Sequence, residues 1–194
     1  MRILHWFRSD LRLADNTSLF QASQQARRGV VAVYIVAPKE WRAHDLAPLQ
    51  VDLRLRTLAE LAPRLASLNI PLKILFSKKP DDVPRLLLGL AKSVQADAVY
   101  FNREYEIDES RRDSAVVEAV TKAGLQARGF TDQSFLDPTS IATGSNTYFT
   151  VFTPFKRAWL KRLTELQSNS EMPKVLAAPG RQIPLDLGSD PIPG

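Results

Sequence analysis

The chain has 194 residues, a formal net charge of +5, 44% hydrophobic and 24% charged residues, and no cysteine. That length suits one domain with a tail and can bury a sizeable core. The missing cysteines exclude disulfides, thiolate metal sites and cysteine nucleophiles, and the mild basic excess permits a polyanionic partner without diagnosing one. No stretch approaches the ~18 apolar residues of a membrane span, and Met1–Arg8 is too short and too soon charged for a signal peptide. A cytoplasmic, membrane-free protein is the expectation.

In chain order, Ile3 to Phe7 is a short apolar run that predicts strand 1. A polar turn from Ser9 to Asn16 follows, and Asn16 or Thr17 is placed to cap a helix running to Arg28. Gly29 releases the chain into Val30–Val36, a β-branched run that reads as a strand buried on both faces. A loop with Pro38, Trp41 and His44 precedes a helix opened by Pro48, with Val51, Leu55, Leu58, Ala62 and Leu65 on one face. Pro63 lacks a backbone donor and predicts a kink or break there.

Leu72 to Phe76 is strand 3. Pro80-Asp81-Asp82 starts a helix with acids at the positive end of its dipole, and Val83, Leu86, Leu87, Leu90 and Val94 form its inner face. Ala96 to Phe101 is strand 4. A helix from Asp108 to Ala123 turns Val116, Val117 and Val120 inward and ends at Gly124, the usual place for a left-handed cap. Leu125 to Thr131 is strand 5. Strands alternating with helices predict an α/β domain with an open, mostly parallel five-stranded sheet and helices on both faces.

From Asp132 the rhythm changes. Ser134 to Thr150 reads as an ordered loop. Pro154 opens an amphipathic helix with Phe155, Trp159 and Leu163 opposite Lys156, Arg157, Lys161 and Arg162. After Gln167 the composition turns to Ser, Pro and Gly, that of a linker. The expected division is 1–166 for the α/β domain and 167–194 for an interdomain linker, with a further domain absent.

If the strand order is 3-2-1-4-5, the ligand crevice lies outside the carboxyl ends of strands 1 and 4. The loops there are Arg8 to Asn16 and Asn102 to Glu109, with His44 nearby. No G-x-G-x-x-G follows strand 1, no P-loop occurs, neither His5 nor His44 has a metal-ligand spacing partner, and no serine sits in a nucleophile elbow. This points to binding rather than turnover, and no residue is assigned a catalytic role. Spacing leaves two readings of Asp108 and Glu109. Asp108 caps a helix with Glu109 in its first turn, or the pair holds a donor-rich ligand such as the amino-pyrimidinone edge of a pterin.

Four motifs carry a resemblance. Trp6-Phe7-Arg8-Ser9-Asp10-Leu11-Arg12-Leu13-Ala14-Asp15-Asn16 is similar to the opening signature of the DNA photolyase/cryptochrome family, W-F-R-x-D-L-R-x-x-D-N. Trp41-Arg42-Ala43-His44, Tyr105 to Asp113 and Val151 to Leu163 continue it in order. The chain most resembles class I cyclobutane pyrimidine dimer photolyases with a folate antenna. The resemblance implies a two-part protein: an N-terminal α/β domain holding a light-harvesting chromophore, 5,10-methenyltetrahydrofolate or a deazaflavin, and a helical C-terminal domain binding reduced FAD and damaged DNA. The antenna passes excitation to the flavin, which donates an electron that splits the dimer.

In the folate type an Asn-Glu pair and a histidine contact the pterin. Those positions fall on Asp108, Glu109 and His44, with Asp108 departing from the Asn. Alternating charges in the turn after strand 1 read Arg8, Asp10, Arg12, Asp15 and Asn16 as locking that loop and the domain interface rather than reacting, and the resemblance implies that the antenna, the FAD domain and damaged DNA are the partners of a monomer. The readings kept beside this one are a stand-alone nucleotide-binding α/β module and the N-terminal domain of a signalling cryptochrome. The basic helix from Pro154 to Arg162 is the candidate patch for weak, salt-sensitive DNA association, with Kd of roughly 10⁻⁴ to 10⁻⁶ M.

Overall fold

The computed structural model describes residues 1–193. By internal contacts the chain divides into two compact units, one made of 1–132 with the tail from Leu176, the other of 133–175.

In the larger unit, five parallel strands, β1 (Ile3–Phe7), β2 (Val30–Val36), β3 (Leu72–Phe76), β4 (Ala98–Asn102) and β5 (Gln126–Phe130), form one sheet in the order β3-β2-β1-β4-β5. Ile3 pairs with Val30 on one side and Ala98 on the other, so the three central strands begin level. The predicted order holds, and the sheet is wholly parallel. A parallel sheet is covered on both faces, and alternate residues of each strand serve the two layers. Ile3, Phe7, Ala32, Tyr34 and Tyr100 pack under α1 (Thr17–Gln25) and α3 (Pro48–Ser67) through Leu19, Leu58, Leu61 and Leu65. Leu4, Trp6, Val31, Val33, Val99 and Phe101 pack under α4 (Val83–Ser93) and α5 (Ile107–Lys122) through Leu87, Ala91, Val116 and Val120.

Two local expectations are corrected. The loop after β2 contains a short helix, α2 (Pro38–Ala43), started by Pro38 at its first turn. Pro63 does not break α3, which runs on to Ser67 with the proline inside it. Pro63 and Ala59 both face solvent, so the lost backbone bond lies on the wet side, while Leu58, Leu61 and Leu65 hold the opposite side on the sheet.

The smaller unit has its own core. Leu136, Ile141 and Leu166 are buried with Phe149, Phe155, Trp159 and Met172 against them. Its helix α6 (Phe152–Ser168) starts two residues before Pro154 and carries Lys156, Arg157 and Lys161 exposed. The tail from Leu176 has linker composition, yet it is tied to the larger unit: Gln182 N–H donates to the Leu68 carbonyl and Asp190 N–H to that of Leu72, each at 2.8 Å. Among the described residues no helix is long and apolar enough to cross a membrane.

Candidate functional site

The order reverses between β1 and β4, and the chain ends both strands there with polar residues. Asn102 closes β4 and is buried. Its Oδ1 accepts from Ser18 N–H at 2.9 Å, and its Nδ2 donates to Asp10 and to Asn16 Oδ1. Asn16 caps α1 by accepting from Leu19 N–H at 3.1 Å, and Asp10 accepts from Arg8 N–H at 2.8 Å. Arg12 reaches Asp132 at 2.6 Å. Asp15 stands at φ 53° and donates its N–H to the Leu176 carbonyl at 2.7 Å. These residues, alternating in sign along the turn, tie the loop to the start of α1, the end of β4, Asp132 and the tail. Burial pushes the Asp10 carboxyl above its usual range, against the bonds from Arg8 and Asn102. Beneath them His5 is fully buried, with Ser18 Oγ 3.1 Å from Nδ1. Desolvation first, then the Arg8 charge, lowers its pKa from 6.5 to about 3, so it is neutral.

Beside this lock lies an ionic floor. The Arg8 guanidinium lies 4.6 Å from the Trp6 ring centroid and pairs with Asp113, with Glu104 at 3.5 Å. Arg112 pairs with Glu104 at 2.7 Å and Glu40 at 3.3 Å, and the Ser9 hydroxyl donates to Glu104 at 2.7 Å. Burial opposes ionisation of Glu104, but Arg8, Ser9 and Arg112 outweigh it and hold its carboxyl below the usual range. For Asp113 burial prevails over Arg8 and raises it.

Above the floor opens a cleft of about 770 Å³, mouth included, lined by Trp6, Arg8, Tyr34, Trp41, His44, Arg54, Glu104, Glu109 and Arg112 among others. Thus β1, β2, α2, α3 and α5 each present side chains to one space. His44, the residue that ends α2, and Glu109, in the first turn of α5, line it together. Neither side chain has a hydrogen-bond or ion-pair partner among the described residues. Asp108 is set apart from them. It is 65% exposed, lies 3.4 Å from Arg111, and lines an adjoining hollow that His44 also borders. It does not cap α5: the cap residue is Glu106, and Asp108 and Glu109 occupy the first turn, where acids complement the dipole.

The sequence reading assigned no site role to Glu40, Arg54, Glu104 or Arg112. One of them, Glu104, carried a signal together with Arg8. Arg8 directly follows buried Phe7, and Glu104 stands two residues past buried Asn102, so charges just beyond the ends of adjacent buried strands were the mark of an ion pair. The cleft presents unengaged donors and acceptors beside aromatic wall. Glu109 offers an unengaged carboxylate, Tyr34 and Trp41 offer aromatic wall, and Arg8 Nη2 and Arg112 Nε are buried without a partner. Among the described residues no cluster of His, Asp and Glu could hold a metal ion.

A doubly wound sheet with a polar cleft at its switch point defines an open α/β ligand-binding domain. Its relatives are specific. Residues 3–176 match the family model described as DNA photolyase, and the chain belongs to that family. It is 43% identical over 163 residues to the deoxyribodipyrimidine photo-lyase of Vibrio cholerae, covering 82% of this chain and 34% of that one. It is 38% identical over 180 residues to that of Escherichia coli, covering 91% and 36%. The chain therefore spans about a third of the length of these relatives. Among solved structures, a bacterial class III photolyase from Agrobacterium tumefaciens superposes with a TM-score of 0.72 at 26% identity, over 98% of this chain and 37% of that one. A Synechocystis cryptochrome, with a TM-score of 0.77 at 22% identity, shares the fold.

Proposed function

We propose that this chain is the antenna-chromophore domain of a deoxyribodipyrimidine photolyase and that its cleft takes 5,10-methenyltetrahydrofolate. One observation carries the reading: His44 and Glu109, from separate segments of a photolyase-family domain, line one cleft, and the fold uses neither side chain. Glu109 accepts from the amino-pyrimidinone edge, as an ionised carboxylate takes two parallel donors. His44 orients the ring from the opposite segment, and Asp108 stands outside as a second carboxylate toward a cationic ligand. The chemistry supplied by a bound antenna is absorption of near-UV or blue light and transfer of the excitation to a reduced flavin.

In this reading residues 1–166 harvest light, and 167–194 lead to a C-terminal domain that holds FAD and the lesion. The whole protein is a cytoplasmic monomer that repairs cyclobutane pyrimidine dimers in damaged DNA, and the present chain alone splits none. Titration of the purified chain with methenyltetrahydrofolate, a deazaflavin, ATP and AMP, followed by near-UV absorbance and calorimetry, tests it. Folate is expected to bind, and more tightly than deazaflavin. Tight ATP or AMP binding without folate binding would instead establish a nucleotide-binding module.

A further inference from the structure

We propose that the tail segment 182–192 is an edge seal: a surrogate sixth strand, built largely from side chains, that stops β3 from pairing with other chains. The proposal is independent of the chromophore reading.

An edge strand presents a row of unpaired N–H and C=O groups, a template for association that proteins cover or charge. The two edges of this sheet differ. β5 reads Gln126-Ala127-Arg128-Gly129-Phe130, short of apolar residues and charged in the middle. β3 reads Leu72-Lys73-Ile74-Leu75-Phe76, four apolar residues around one cation, with Phe76 59% exposed at its end. Such a segment combines β-propensity with low charge and is the hazardous edge.

The tail meets that edge group by group. Ser189 Oγ accepts from Leu72 N–H at 3.0 Å, Asp190 N–H donates to Leu72 C=O at 2.8 Å, and Asp190 Oδ2 accepts from Ile74 N–H at 2.9 Å. The other Asp190 oxygen takes the Lys73 ammonium at 2.8 Å, engaging the strand's lone cation. With Ser189, Asp190 thus engages both outward backbone groups of Leu72 and the N–H of Ile74, as a paired strand would. Its side chain cannot pass the ladder on, because it presents no further N–H row.

The tail is anchored on both sides of that contact. Gln182 N–H donates to the Leu68 carbonyl at 2.8 Å and its carbonyl accepts from Asn69 Nδ2 at 2.7 Å. Leu185 and Leu187 pack against one core layer and Ile192 against the other. Leu185 also lies where a side chain at Gly29 would be: a Cβ there would meet its Cδ2 at 3.0 Å, and Gly29 holds φ +87°. The tail's Ser, Pro and Gly content, which reads as linker, therefore covers an edge without extending the sheet.

The test uses the whole chain with Asp190→Ala, followed by residue-resolved amide hydrogen exchange and by light scattering across a concentration series. Exchange at Ile74 is expected to rise tenfold or more, with inner amides of β2 unchanged, and self-association is expected to appear at high concentration. Adding Phe76→Lys, which charges the bared edge, should abolish that association. The milder Ser189→Ala should speed exchange at Leu72 alone, and it keeps the test open if Asp190→Ala fails to fold. Asp97→Ala, which removes bonds from Arg28 and from Arg2 N–H far from β3, should not associate. Unchanged exchange at Ile74 in Asp190→Ala, unchanged exchange at Leu72 in Ser189→Ala, or equal association of Asp97→Ala would each overturn the proposal.

Discussion

The floor and the rim of the cleft are built from the same residue types and are used in opposite ways. On the floor, Glu40, Glu104 and Asp113 are matched to Arg8 and Arg112 in a buried network. On the rim, His44 and Glu109 have no partner among the described residues, and Asp108 has only an exposed neighbour one turn on. A carboxylate on the floor is committed to the fold, and one on the rim is available to a ligand. The difference teaches that proximity to the cleft does not separate side chains committed to the fold from side chains left open to a ligand; their internal partners do.

The largest expected effect comes from breaking the floor. Arg8→Ala strands Asp113 in a buried place and leaves Glu104 to Arg112 and Ser9 alone, and removing one partner of a buried pair costs about 3–5 kcal/mol. Urea unfolding should show that loss, and a change under 1 kcal/mol would mean the floor is not the ionic core described here.

Next is the pH response of His5. Its folded pKa is depressed, so its contribution is complete above 6.5 and is lost as pH falls toward 3, because the unfolded chain takes up the proton first. Between pH 6.5 and 5 this group alone should lower stability with a slope that rises from about 0.7 to about 1.4 kcal/mol per pH unit. In His5→Gln that part of the slope should vanish. Equal slopes in the two proteins would show that His5 does not stay neutral.

Smaller again is Asn102→Ala. It leaves Asp10 and the Ser18 N–H short of a partner, at about 1–3 kcal/mol, and should lower the urea midpoint without touching the rim. A midpoint equal to that of the unmodified chain would show that the lock joining β4 to the signature loop contributes nothing.

Much of this was legible in the residues. The run Val30–Val36 and glycines after helices marked the parallel sheet, because burial on both faces leaves a continuous apolar run that few other structures need, and the polar ends of strands 1 and 4 marked the crevice once the order 3-2-1-4-5 was assumed. His44 and Glu109 were legible through family motifs. Their lack of internal partners was not, since that depends on what the three-dimensional surroundings omit. That α3 continues past Pro63 was not legible, because the cost of the lost bond depends on which side of α3 meets water. The tail's contacts were not legible, because Ser, Pro and Gly composition suits a linker and does not reveal the bonds that Asp190 makes to β3.

The rim substitution has the smallest effect on stability and decides the central claim. Glu109→Ala should leave the urea midpoint unchanged, with stability within about 0.5 kcal/mol, as for a surface residue free of internal bonds. It should weaken methenyltetrahydrofolate binding about tenfold or more, since a charge-assisted hydrogen bond contributes about 1.5–3 kcal/mol. Near-UV absorbance titration of both proteins, alongside their urea curves, reads the two quantities together. Weakened folate binding at an unchanged midpoint is the predicted result. Folate binding at full strength in Glu109→Ala, or a midpoint that falls with it, would contradict the division between floor and rim.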